Sequence, residues 1–288
     1  MRPPQDPKLL EVQYNNRARV PDHPQVLRRW ERASLAARAG SVCHLDLPYG
    51  PGAGETLDLF PAAGAAAQPA PVLVFIHGGY WRSLDKSQHS FVAPSFNADG
   101  AMVVLPNYAL CPAVSVEHIA LQLTRALAWT CRHAAQFGGD PARIGVLGHS
   151  VGGHLAAMML SCRWKEVATD LPAGLVAGAL SISGVFDLEP LRRTPSLQAD
   201  LRLTPAAVRR LSPAFFPRPK GGRLYATVGA EESDEFLRQN LLIRDVWGPT
   251  AVPVCEVVPG KNHFTVMESL ADPLGRLHEL ALRLVNLR

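Results

Sequence analysis

The run GHSVG, Gly148 to Gly152, sets a serine between two glycines, directly after the apolar stretch RIGVL and before the apolar stretch HLAAMML. A strand that turns straight into a helix through G-x-S-x-G holds the serine in a strained backbone conformation and pushes its hydroxyl out at the sheet's edge; small neighbours prevent clashes. The backbone N–H of Val151, at the start of that helix, then faces any negative charge developing beside the serine. A serine hydroxyl is a weak nucleophile at neutral pH unless a base removes its proton and a carboxylate orients the base. The chemistry predicted is acyl transfer, so the rest of the chain must supply a histidine, an acid and donors for an oxyanion.

In proteins built on this turn the partners follow in the order serine, acid, histidine. Beyond residue 154 there are two histidines, His263 and His278. His263 lies in GKNHF just after the strand-like PVCEVVPG, where a loop at the C-terminal edge of a sheet belongs, whereas His278 falls inside the helical run PLGRLHELALRLV. His263 is therefore the expected base. The acid should follow the preceding strand, RLYATVG, where GAEESDEF offers Glu231, Glu232, Asp234 and Glu235. A carboxylate three residues past the strand's closing glycine is the usual position and selects Glu232, with Asp234 as the alternative; Glu231 and Glu235 equally suit a solvated helix start. Donors for the oxyanion come from HGGYW, His77 to Trp81, which follows the strand-like PVLVFI. Gly78 and Gly79 there would join Val151 in presenting N–H groups.

These residues need a scaffold that brings them to one edge. The apolar runs PVLVFI, AMVVLPNY, RIGVLG, LVAGALSIS, RLYATVG and PVCEVVPG read as strands, and most of the segments between them carry helical periodicity. Val116, Ile119, Leu123, Leu127 and Ala134 fall on one helical face, which Gly138 and Gly139 end. Buried strands separated by helices predict an α/β fold with a mostly parallel sheet covered on both faces. SVCHLDLPY and ETLDLF, flanking GPGAG, predict a hairpin ahead of it, and AAGAAAQPAP a surface connection. One domain over residues 1–288 is expected, with an N-terminal arm over 1–40 that contains a helix from Pro24 to Gly40 and an inserted helical cap over 188–217. Arg192, Arg193, Arg202, Arg209, Arg210, Arg218 and Lys220 outnumber Glu189 and Asp200 in and beside that insertion, which fits either an anionic substrate or simply a solvated helical face.

Composition narrows the function further. The formal net charge is +4 over 288 residues and the basic residues are scattered, which argues against a nucleic-acid partner. No stretch approaches the length of a membrane helix and MRPPQDPKLL lacks a signal-peptide pattern, so a cytoplasmic protein with no membrane partner is expected. Five cysteines without CxxC spacing suggest reduced thiols, and no His, Cys and carboxylate cluster has metal-ligand spacing; neither a metal nor a cofactor is expected. The partner is a small ester or amide substrate, and self-association is left open. Tyr80 and Trp81 fit either an aromatic wall for a planar substrate or plain core. Asn107 and Tyr108 end a strand on the reactive side and are candidates for substrate contact. His77 is expected to brace the oxyanion loop, and His149 and His154 to be structural.

HGGYW, PNYAL, FGGDPARIGVLGHSVGGHLAA, SGVFDLEPL, EESDEFLRQ, GKNHF and the N-terminal YNNRARVPDHP together resemble the kynurenine formamidase (arylformamidase) branch of the hormone-sensitive-lipase-like α/β-hydrolases, over nearly the whole chain. HGG with GHSxGG is shared with many esterases, whereas HGGYW and ESxEFxRQ are more particular. The resemblance implies an α/β-hydrolase fold and a metal-free serine hydrolase that cleaves N-formylkynurenine or a related aryl formamide through an acyl-enzyme, with Ser150, Glu232 and His263 as the triad and Gly78 and Gly79 in the oxyanion hole. A broad short-chain carboxylesterase uses the same machinery and is the alternative; a non-catalytic ligand-binding hydrolase fold is a third. Two positions depart from the family pattern. Val151 stands where alanine is general, a branched side chain expected either to crowd the elbow or to narrow the acyl side of the pocket, and the acid is a glutamate where animal formamidases have aspartate.

Overall fold

The computed structural model describes residues 6–64 and 68–287. Part of the alanine-rich connection, residues 65–67, lies outside them. The strands are β1 (His44–Pro48), β2 (Thr56–Phe60), β3 (Ala70–Ile76), β4 (Met102–Pro106), β5 (Gly139–His149), β6 (Val176–Ile182), β7 (Leu224–Gly229) and β8 (Val254–Val258). They form one eight-stranded sheet in the order β1-β2-β4-β3-β5-β6-β7-β8. The hairpin β1–β2 and the β2–β4 pair are antiparallel; every pairing from β4 through β3 to β8 is parallel.

Strand periodicity explains how the sheet is covered. Along β3, Val72, Val74 and Ile76 enter one apolar cluster while Leu73 and Phe75 enter another, because successive side chains point to opposite faces. The first cluster receives Ile119, Leu123 and Leu127 from the helix Val116–His133, Leu155 from Val151–Leu160, and Phe236 and Ile243 from Asp234–Trp247. The second receives Val26 and Trp30 from the helix His23–Gly40 and Leu277, Leu280 and Ala281 from Arg276–Leu284. With both faces dry, the central strands are continuous apolar runs, which is why the sequence reads them so clearly.

The stretch 188–217 holds the short helices Glu189–Arg193, Pro195–Leu201 and Pro205–Leu211, as its prolines at helix starts favour. Among the described residues no helix is long and apolar enough to cross a membrane. A parallel sheet puts the C-terminal ends of its strands on one edge, the usual place for a site in such folds. There β3 delivers His77–Trp81, β5 delivers Ser150, β6 Ser183, β7 Glu232 and β8 His263.

Candidate active site

Ser150 sits between the last residue of β5 and the first of the helix Val151–Leu160, with φ 57° and ψ −123°. A non-glycine residue at this φ stores about 1–3 kcal/mol of strain and persists only where its surroundings enforce it. Here the Ser150 N–H donates to the Ile182 carbonyl at 2.8 Å, tying the turn to the neighbouring strand. The flanking glycines are required by space: a Cβ on Gly148 would lie 2.0 Å from the Gly152 carbonyl oxygen, and one on Gly152 would lie 2.1 Å from that of Ile76.

His263 and Glu232, 31 residues apart, meet in a buried pair, with His263 Nδ1 2.6 Å from Glu232 Oε2. The carboxylate's second oxygen accepts from the Ser183 hydroxyl at 2.5 Å and from the Gly229 N–H at 2.8 Å. Both carboxylate oxygens are thus occupied by donors, so the glutamate is fixed and not free to swing. Asp234, the alternative acid, is exposed in the first turn of the helix Asp234–Trp247. His278 is buried in the helix Arg276–Leu284, its Nε2 2.7 Å from Asp99 and its ring stacked on Phe96 at 4.1 Å. It belongs to the core.

His149 explains how the loop that carries His263 is held beside Ser150. Its Nε2 lies 2.7 Å from the His263 carbonyl oxygen, an acceptor, so Nε2 carries the proton. Burial, together with the nearby His263, holds its pKa well below the ordinary histidine value. The neutral ring ties the residue before Ser150 to the backbone of His263.

The loop that carries Gly78 and Gly79 is braced from below. His77 Nδ1 lies 2.9 Å from the Gly78 carbonyl oxygen, and the ring, stacked on Tyr108 at 4.2 Å, is kept from protonating by burial. The Tyr108 hydroxyl donates to the His77 carbonyl at 2.8 Å. A Cβ on Gly78 would stand 3.1 Å from Ser150 Cβ, which places this glycine against the serine. Gly79 has φ +99°, and a Cβ there would collide with the Ser83 carbonyl at 2.1 Å.

Gly79, Tyr80, Ser150 and His263 line one cavity of about 320 Å³ together with Tyr14, Asn15, Asn16 and Arg17 from the N-terminal segment, Leu27 and Trp30 from the helix His23–Gly40, Ser196 and Leu197 from the 188–217 stretch, and Phe264. Two arginines line it, Arg17 and Arg82, and no Asp or Glu among the described residues does. Arg82 is already paired with Asp200 at 2.6 Å.

This arrangement has counterparts among known proteins. A family model described as BD-FAE matches residues 57–191. The kynurenine formamidase of Danio rerio is 28% identical over 87% of this chain and 84% of its own length. A crystal structure of a candidate thioesterase from Silicibacter sp. superposes with a TM-score of 0.83 at 30% identity, covering 96% of this chain and 98% of that one. The chain belongs to the kynurenine-formamidase-like α/β-hydrolases. The carboxylesterase EstE1, from a metagenomic library, shares the fold at a TM-score of 0.68 and 18% identity over 98% of this chain and 96% of its own. This α/β-hydrolase is an enzyme that hydrolyses small esters or amides.

Not every expected contact of the hydrolase lies at the cavity. Tyr80 lines it, but Trp81 is fully buried against the His154 ring at 5.1 Å, and Tyr108 is buried beneath the glycine loop. For Trp81 this selects the core alternative, and Tyr108 is corrected from a substrate contact to a support, because the apolar layer under the loop takes both rings first. The insertion's arginines are likewise absent from the lining; Arg192 pairs with Glu189 and Arg210 with Glu117. His154 is structural, its Nε2 2.6 Å from the Leu211 carbonyl oxygen. Tyr14–Arg17, Ser183 and Phe264 fall inside YNNRARVPDHP, SGVFDLEPL and GKNHF, and Trp30 inside the Pro24–Gly40 helix, but no residue spacing assigns any of them to the site.

Proposed function

We propose that the hydrolase works through Ser150, with His263 as base, Glu232 orienting the imidazole, and the N–H groups of Gly78, Gly79 and Val151 holding the oxyanion. The observation that carries this reading is the 2.6 Å pair between His263 Nδ1 and Glu232 at the cavity that Ser150 lines. With Nδ1 committed to the carboxylate, Nε2 is left to take the Ser150 proton as the oxygen attacks the substrate carbonyl. The C–N or C–O bond then breaks, the proton passes from His263 to the leaving group, and an acyl-serine remains. Water, deprotonated by the same histidine, adds to the acyl carbon and releases the acid and the serine hydroxyl.

We further propose an aryl formamide, N-formylkynurenine or a close relative, as substrate. Trp30, Tyr80 and Phe264 offer the cavity aromatic surface, and Arg17 meets no lining carboxylate, which suits a planar aryl group bearing an acid. Short-chain carboxylesterase activity is the second reading, supported by the shared fold of EstE1. Rates for N-formylkynurenine, 4-nitrophenyl acetate and 4-nitrophenyl butyrate separate the two: the formamidase reading expects the formamide to have the highest kcat/KM, and a preference for butyrate overturns it.

A further inference from the structure

Two stretches singled out in the sequence, YNNR near the N-terminus and EFLRQ beyond the acid, have no part in the chemistry just described, yet they are packed together beside it. The Tyr14 hydroxyl, fully buried, donates to Glu235 Oε2 at 2.7 Å and accepts from Gln239 Nε2 at 3.0 Å. Glu235 is gripped by Arg238 through two bonds of 2.7 and 2.9 Å. Gln239 Oε1 accepts from the N–H groups of Phe186 and Asp187 at 2.8 and 2.9 Å, anchoring the set to the loop after β6. The Tyr14 ring lies 5.6 Å from Phe236, whose ring lies 4.6 Å from the His263 imidazole. Glu235 itself is three residues past Glu232 in the chain.

The other end of Tyr14 reaches the oxyanion loop. Its carbonyl accepts the Tyr80 hydroxyl at 2.6 Å. Tyr80 and Trp81 follow Gly79 with φ of 52° and 55°, so three consecutive residues lie in the left-handed region and two of them carry side chains. Such a run relaxes unless external bonds enforce it. The Cys111 N–H holds the Trp81 carbonyl at 2.7 Å, and the Ser83 hydroxyl holds that of Gly79 at 3.0 Å. The Tyr80 bond leaves this neighbourhood and ties the loop to the N-terminal segment.

We propose that Tyr14 is a positioning residue for the hydrolysis: one buried side chain and its own carbonyl lock the oxyanion loop, through Tyr80, to the helix that follows the triad acid. The proposal rests on the assignment of Ser150, Gly78 and Gly79 made above. Its physical content is that the glycine N–H groups point where the tetrahedral oxygen forms because the strained loop cannot relax. Interactions made only in the transition state appear in kcat, whereas substrate binding in the ground state is little touched. The N-terminal arm is in this view part of the catalytic apparatus and not packing alone.

The test uses the full chain with Tyr14→Phe, Tyr80→Phe and the double variant, assayed on 4-nitrophenyl acetate and against a trifluoromethyl ketone that mimics the tetrahedral species. Each single variant should lose about tenfold in kcat with KM held within about twofold, the scale expected when catalytic groups are slightly misplaced. Affinity for the ketone should fall by the same factor. Because both substitutions cut one chain of bonds, the double variant should be no worse than the poorer single one. Unchanged kcat, a loss confined to KM, or losses that multiply would each overturn the proposal. A fluorophosphonate separates this from the parent reading: failure to label Ser150 in the unaltered enzyme sinks the mechanism itself, whereas complete labelling with unaffected variants sinks only the role of Tyr14.

Discussion

The cavity has a floor and a wall, and they are built on different principles. The floor, with Gly79, Ser150 and His263, hangs from the ends of strands β3, β5 and β8 and is held by backbone geometry: a strained serine, glycines with no room for a Cβ, and a histidine clamped between Glu232 and His149. The wall, with Arg17, Trp30 and Leu197, comes from segments outside the sheet and is held by side chains: Tyr14 on Glu235 and Gln239, Arg82 on Ser196 and Asp200. A floor of this kind tolerates little and fixes the reaction type. Apart from Tyr14, which ties the wall to the glycine loop, the wall can change residue by residue without disturbing Ser150, so it is where choice of substrate is expected to reside.

The difference can be broken most sharply at the acid. Glu232→Gln keeps the shape of the pair but removes the charge that orients and stabilises the imidazolium; kcat should fall about ten-thousandfold, as in comparable triads. Asp234→Asn, at an exposed helix start, should leave kcat within about twofold. Equal losses in steady-state assays of the two variants would remove Glu232 from the floor.

A wall substitution should act on binding instead. Arg17→Ala is expected to raise KM about tenfold for a carboxylate-bearing formanilide, the loss of one charge-assisted hydrogen bond. It should leave kcat unchanged and a neutral aryl formamide unaffected. A fall in kcat on both substrates would show that wall and floor are not separable in this way.

The smallest effect concerns acid stability of the floor. Burial lowers His89 to about 3 and His154 to about 4, both below the ordinary histidine value. Below pH ~6.5 the unfolded chain binds protons that the folded one refuses, so stability falls with pH, and for His154 the loss is complete only below about pH 4. Tm should therefore be flat from pH 8 to 7 and drop from pH 6.5 to 5. His154→Gln should flatten that slope, and an unchanged slope would contradict the assignment.

The floor was legible in the sequence because its demands are covalent and steric. Only glycine fits at 148 and 152, a histidine and a carboxylate must follow successive strands, and both leave signatures in GHSVG, GAEES and GKNHF. Central strands, dry on both faces, were equally legible as apolar runs. The wall left no such trace. Trp30 reads as the apolar face of a helix, and so it is, yet one part of it borders the cavity. Ser183 is an ordinary serine at a strand end until the fold brings it to Glu232. Trp81 stayed open between wall and core, and Tyr108 was misplaced, because position in the chain at a strand end or beside Gly79 does not say which side of the loop a ring takes.

The central claim is that Ser150 is activated by His263 and Glu232, and peptide mapping by mass spectrometry after exposure to a fluorophosphonate tests it most directly. One stoichiometric adduct on Ser150 in the folded protein, and no adduct in Ser150→Ala, is the expected result. An adduct on another residue, or none at all, would contradict it.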